Sequence, residues 1–244
     1  MTITHSAKSE AHGPGGHHHR DVSGGWLRPA VFGAMDGLVT NVSLISGVGG
    51  SGASSHFVIL TGLAGLAAGA CSMAAGEYVS VSSQNELVGS EVHKEKLELE
   101  NNPDAEQREL AATFRARGVD ADLARQVAAQ ISRNPDHALS VHVREELGVD
   151  PQELPSPLVA AGASLVTFSA GALVPLLPYL LGASSLILAL GLAAVAAVLG
   201  GGIVARMTGR PFIRGAARQL LLGAAAAAIT YGIGHAVGGA GAIG

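Results

Sequence analysis

GLAGLAAGACSMAAGEYVSV, residues 62–81, runs without a helix breaker into SSQNELVGSEVHKEKLELE, residues 82–100. The first half is apolar and rich in glycine and alanine, and its length suits a bilayer crossing. The second half is charged and polar. Together they predict one continuous rod of helix, half in the membrane and half standing in the cytosol. The membrane half carries Met73 and Glu77. The cytosolic half carries Glu91, Glu95 and Glu98 at i, i+4 and i+7.

Working outward, the charge distribution divides the rest of the chain. Of 19 acidic residues, 15 lie between Glu86 and Glu153, with eight of the 15 basic ones. Beyond Trp26 the remaining sequence is almost free of charge, apart from Arg28, Asp36, Glu77 and the arginines at 206, 210, 214 and 218. Five segments are long and apolar enough to span: about 28–50, 57–80, 157–181, 183–205 and 212–237. The expected fold is therefore an all-α membrane protein with five transmembrane helices. A cytoplasmic helical metal-binding domain is inserted between helices 2 and 3. The expected parts are a His-rich tail (1–26), helices 1 and 2 (27–81), the acidic domain (82–154) and helices 3 to 5 (155–244).

Arginines flank the start of helix 1 and fill the loop between helices 4 and 5, while the loops between helices 1 and 2 and between 3 and 4 have no basic residue. The positive-inside rule then puts the N-terminus, the acidic domain and the arginine loop in the cytoplasm. No cleavable signal is visible, and the composition favours a multi-pass protein of a bacterial inner membrane. The net charge of -4 and the lack of a basic face argue against a nucleic-acid partner. The lone Cys71 rules out an internal disulfide. The tail histidines 5, 12, 17, 18 and 19 read first as low-complexity sequence, with weak metal binding as the alternative.

Asp36 sits about a third of the way into helix 1. A carboxylate at that depth costs roughly 3 kcal/mol on insertion scales, so it should face a pathway or a partner. Gly33, Asp36, Thr40, Ser43 and Gly47 form a small, polar stripe at helical spacing. In helix 2 Met73 and Glu77 lie one turn apart. A lone methionine is more often packing than ligand. A thioether beside a carboxylate, however, suits Fe2+ better than Mg2+ or Ca2+.

In the insert, Asn102-Pro103-Asp104 should break the rod, with Asp104 and Gln107 resembling a capping box. A second helix then carries Glu106 and Glu109 and ends at Gly118. A third starts at Asp120 with Leu123, Val127 and Ile131 as its apolar face. A fourth starts at Asn134-Pro135, places His142 and Glu146 one turn apart and closes at Gly148. Glu95 with Glu98, Glu106 with Glu109, and Glu146 with His142 are thus three candidate ligand pairs on separate helices. Such carboxylates converging in a bundle bind iron or manganese; the bland alternative is a solvated acidic surface.

The motifs FGAMDGLVTNVSLISGV, GLAAGACSMAAGEYVSVSSQ, ELAATFRARGV and REELGV, with the small-residue pattern of the last three spans, resemble the vacuolar iron transporter family over about residues 27–238. The resemblance implies five membrane helices per chain, a homodimer and a cytoplasmic metal-binding domain on the extension of helix 2. It also implies movement of Fe2+, and often Mn2+, out of the cytosol, in several members in exchange for protons. Carried over onto this sequence, the pathway positions are Asp36 and Met73, and the metal ligands are Glu95, Glu98, Glu106, Glu109 and Glu146. Two departures stand out. The helix 2 glutamate of the plant iron transporters falls on Gly65 here, with Glu77 three turns further on. A methionine pair in the last insert helix is replaced by His142 and Val143.

The expected function is divalent metal transport by proton antiport, with Asp36, Met73 and Glu77 on the pathway and Fe2+ or Mn2+ as bound and transported ion. No prosthetic cofactor and no enzymatic activity are expected; the partners are lipid, metal ions, protons and a second copy of the chain. The alternatives are a membrane-anchored di-iron carboxylate protein of oxidation or storage type and a metal sensor.

Overall fold

The computed structural model describes residues 25–151 and 153–241, so the histidines of the tail lie outside the described residues. Among the described residues there are eight α-helices and no strand. They are α1 (Leu27–Gly50), α2 (Ser55–Asn101), α3 (Pro103–Ala116), α4 (Ala121–Ile131), α5 (Pro135–Glu146), α6 (Pro157–Leu180), α7 (Leu186–Met207) and α8 (Phe212–Gly241). Five of them, α1, α2, α6, α7 and α8, are long and apolar enough to cross a membrane. The rod predicted from residues 62–100 is one unbroken helix of 47 residues, begun by Ser54, whose hydroxyl accepts from the Phe57 amide.

α1 lies at the centre of the membrane part and touches all four other spans. Its contact with α6 is the most extensive, and both helices present glycine there. A methyl on Gly37 would run into the Phe168 carbonyl, and one on Gly171 into the Ala34 carbonyl. Without a hydrophobic drive between helices in lipid, such backbone contact supplies the packing energy. Buried Asn41 locks the crossing by donating from Nδ2 to the Ala172 carbonyl at 2.6 Å. The stripe read on α1 does not face one neighbour: Gly33 lies against α6 and Gly47 against Thr230 of α8. α6 continues through Pro175 and Pro178 as one helix.

The insert joins the membrane part where three chain segments meet. Asn85 of α2 donates to the Pro155 carbonyl at 3.0 Å, and Gly25, just before α1, lies against Pro155. This junction fixes α2 as it leaves the apolar layer, so the orientation of the insert is set by the rod itself. Helices α3, α4 and α5 then fold back, α3 and α5 against α2 and α4 against both α3 and α5.

Four of the predicted ends of the short helices are present. Asp120 caps α4 and Asn134 caps α5, each through its side chain, and Gly118 and Gly148 adopt φ of +92° and +66° just after helix ends. Two expectations are corrected. Asp104 is not a cap: Pro103 occupies the first helical position, which its fixed φ and missing N–H suit, so the cap falls on Asn102. On α4 the buried face is Ala124 and Ala128, with Ile131 half-buried beside it, whereas Leu123 is 53% exposed. The small alanines let α4 sit close on α3, and this rotates Leu123 outward.

Candidate metal centre

The chemistry of the insert gathers around one side chain, His142 on α5, which is fully buried. Its Nδ1 lies 3.0 Å from Oε1 of Glu95 on α2, 3.3 Å from Oε1 of Glu146 on α5 and 3.8 Å from Oε2 of Glu106 on α3. Three helices thus deliver four ligand atoms that all lie within 4.8 Å of one another. The local geometry follows from the sequence. Glu146 is one turn beyond His142, and the Asn134-Pro135 start sets the register of α5 that turns both toward α2. The break at Asn102-Pro103 reverses the chain and brings Glu106 back over Glu95.

Hydrogen bonds among these groups do not exhaust them. An imidazole nitrogen donates one proton, and only Glu146 stands in hydrogen-bonding geometry to Nδ1. Oε1 of Glu95 is buried without a hydrogen-bond partner, as is Nε2 of His142. No lysine or arginine among the described residues pairs with Glu95, Glu106 or Glu146. Five of the eight cations of the insert pair with other carboxylates: Lys94 with Glu91, Lys96 with Glu100, Arg117 with Glu145, Arg125 with Asp122, and Arg144 with Asp150. Burial, then the charges of Glu146, Glu106 and Glu98, push the Glu95 carboxyl up to about 7. Burial, then the neighbouring Glu109, raises Glu106 as well. Three carboxylate oxygens and one imidazole nitrogen, crowded and short of positive charge, form a donor set for a divalent transition metal.

Of the six insert residues singled out from the sequence, four therefore come together. Glu98 and Glu109 are exposed and stand outside the group of ligand atoms, yet close enough for their charges to act on Glu95 and Glu106.

The three membrane residues are spread over α1 and α2. Asp36 is half-buried, and its Oδ1 accepts from the Thr40 hydroxyl at 3.4 Å. Met73 is half-buried against Ala70, Phe168 and Ala172. Glu77 is 8% exposed, and its Oε2 accepts from Nη2 of Arg28 at 3.2 Å. In the sequence Arg28 reads first as a topology signal. The two meet because α1 and α2 are consecutive antiparallel spans, so the start of one lies level with the end of the other.

Comparison with known proteins supplies an independent line. The model of the VIT family matches residues 27–235. The chain is 38% identical over 229 residues to "Vacuolar iron transporter" of Acanthamoeba castellanii, covering 90% of this chain and 82% of that one. It is 32% identical over 242 residues to "Vacuolar iron transporter 1" of Oryza sativa subsp. japonica, covering 96% and 94%. With "Vacuolar iron transporter homolog 2" of Arabidopsis thaliana it shares 33% over 219 residues, covering 87% and 85%.

Proposed function

The chain belongs to the VIT family, and from that membership we propose that it carries Fe2+, and Mn2+ as a second cargo, out of the cytosol in exchange for protons. The observation that carries this reading is the convergence of Glu95, Glu106 and Glu146 on Nδ1 of His142 with no cationic side chain among them. A cluster that concentrates negative charge at the head of a helix continuous with a membrane span suits capture of a divalent cation for delivery along that helix.

In this reading the insert faces the cytosol and loads the ion. Asp36, Met73 and Glu77 then hold it in passage between α1 and α2, with two copies of the chain forming the working unit. Glu98 and Glu109, at the exposed rim, attract the ion toward the cluster. A carboxylate that releases a metal ion takes up a proton most simply, which is the physical route to exchange. The membrane in this reading is a bacterial inner membrane. The names of the relatives carry iron and its transport.

The test is Fe2+ flux into proteoliposomes of the purified chain, with and without an imposed pH gradient. Flux that follows the gradient supports exchange. Flux indifferent to it leaves a uniporter, and absence of Fe2+ and Mn2+ flux despite metal binding turns the reading to sensing or storage.

A further inference from the structure

Glu77 is a buried carboxylate in an apolar layer, and such a charge needs neutralising by a proton, a metal or a basic side chain. Arg28, the second residue of α1, fills that role through one hydrogen bond at 3.2 Å. The partners are unequal. The side chain of Glu77 is 9% exposed and that of Arg28 is 74% exposed. One is fixed inside the helix packing; the other is a long arm reaching in from the first turn of α1. Such arms lay their apolar stem along the surface and carry the charged head into water or headgroups at small cost.

We propose that Arg28 is a tethered, displaceable counterion that occupies the cation position of Glu77 until a divalent ion takes its place. The proposal rests on the reading that Glu77 lies on the ion pathway. The pair lies at the end of the membrane part that carries the insert, since Gly25, Asn85 and Pro155 meet there. An ion leaving the His142 cluster along α2 reaches Glu77 before it reaches Met73. A divalent ion brings twice the charge of a guanidinium and bonds oxygen more closely, so it wins the carboxylate, whereas a monovalent ion of the cytosol gains no such advantage. Arg28 would thereby keep the entrance neutral when empty and set the ion concentration at which it fills.

The experiment is the Fe2+ concentration dependence of flux in proteoliposomes of the full chain. Arg28→Gln removes the competing charge and is expected to lower KM about fivefold, the equivalent of about 1 kcal/mol for a partly exposed ion pair. Arg28→Lys keeps the charge but loses the guanidinium fork, and its KM is expected about twofold below wild type. In a Glu77→Gln background Arg28→Gln should leave KM unmoved. A gain in apparent affinity is not a result that structural damage produces. An unchanged or raised KM in Arg28→Gln overturns the proposal and leaves transport standing. If that variant does not assemble, Arg28→Lys decides on the same criterion. Absence of flux in the wild type instead removes the reading on which the proposal rests.

Discussion

Glu95, Glu106 and Glu146 crowd around one imidazole nitrogen with no lysine or arginine among them, whereas Asp36 and Glu77 stand apart on two membrane helices, one beside Thr40 and the other beside Arg28. The difference is one of charge compensation. The insert tolerates uncompensated carboxylates because water reaches its rim and protons share the load; Glu95 is pushed up to about 7. The apolar layer has no such solvent, so its acids are few, separated and individually partnered. A crowded donor set favours holding an ion, and single partnered carboxylates favour passing it on. In the proposed function, capture and passage therefore fall to different parts of the molecule.

The comparison breaks most sharply at Asp36. Asp36→Asn is expected to lower Fe2+ flux by about 100-fold or more, on the scale of losing a key charged group, while metal affinity at the His142 cluster stays at the wild-type value. Isothermal titration alongside proteoliposome flux checks both halves.

The converse variants are Glu95→Gln and His142→Ala. Each is expected to weaken metal binding by about 10- to 100-fold, with flux at saturating ion much less affected. Glu95→Gln also removes a repelling charge, so its metal-free form should melt above the metal-free wild type at pH 8, as scanning calorimetry would show.

The pH dependence of the cluster follows from Glu95. Its carboxyl in the folded chain titrates above its ordinary 4.5, so the proton stabilises the metal-free fold. That contribution is complete below about 4.5 and is lost as pH rises through about 7. Metal needs the carboxylate free and runs the other way. Affinity at pH 6 should be about tenfold below that at pH 8, and the rise in melting temperature on adding Mn2+ should be larger at pH 8 than at pH 5.

The smallest effect is expected at Glu98→Gln. This exposed charge acts through solvent, and its loss should weaken binding about two- to threefold and more at low salt than at high. A loss as large as that of Glu95→Gln would place Glu98 among the ligands and enlarge the cluster.

Much of this architecture is legible in local sequence because local rules produce it. The rod through residues 62–100 has no breaker, Asp120 and Asn134 are strong caps, and Gly118 and Gly148 supply positive φ. What escaped depends on packing between elements. The spacing of His142 and Glu146 shows one turn of helix; that His142 is buried at the focus of α2, α3 and α5 emerges only when those helices close on it. Leu123 satisfies the apolar period of α4, yet the alanines beside it decide which face turns inward. Arg28 and Glu77 are 49 positions apart, and only the antiparallel course of α1 and α2 makes them neighbours.

The division between capture and passage is tested most directly by measuring Fe2+ binding and Fe2+ flux on the same proteoliposome preparations of Asp36→Asn and Glu95→Gln. The predicted result is a crossed pattern: Asp36→Asn binds as wild type and does not transport, while Glu95→Gln binds weakly and still transports at high Fe2+. Loss of binding and flux in step in both variants, or normal flux through Asp36→Asn, would contradict it.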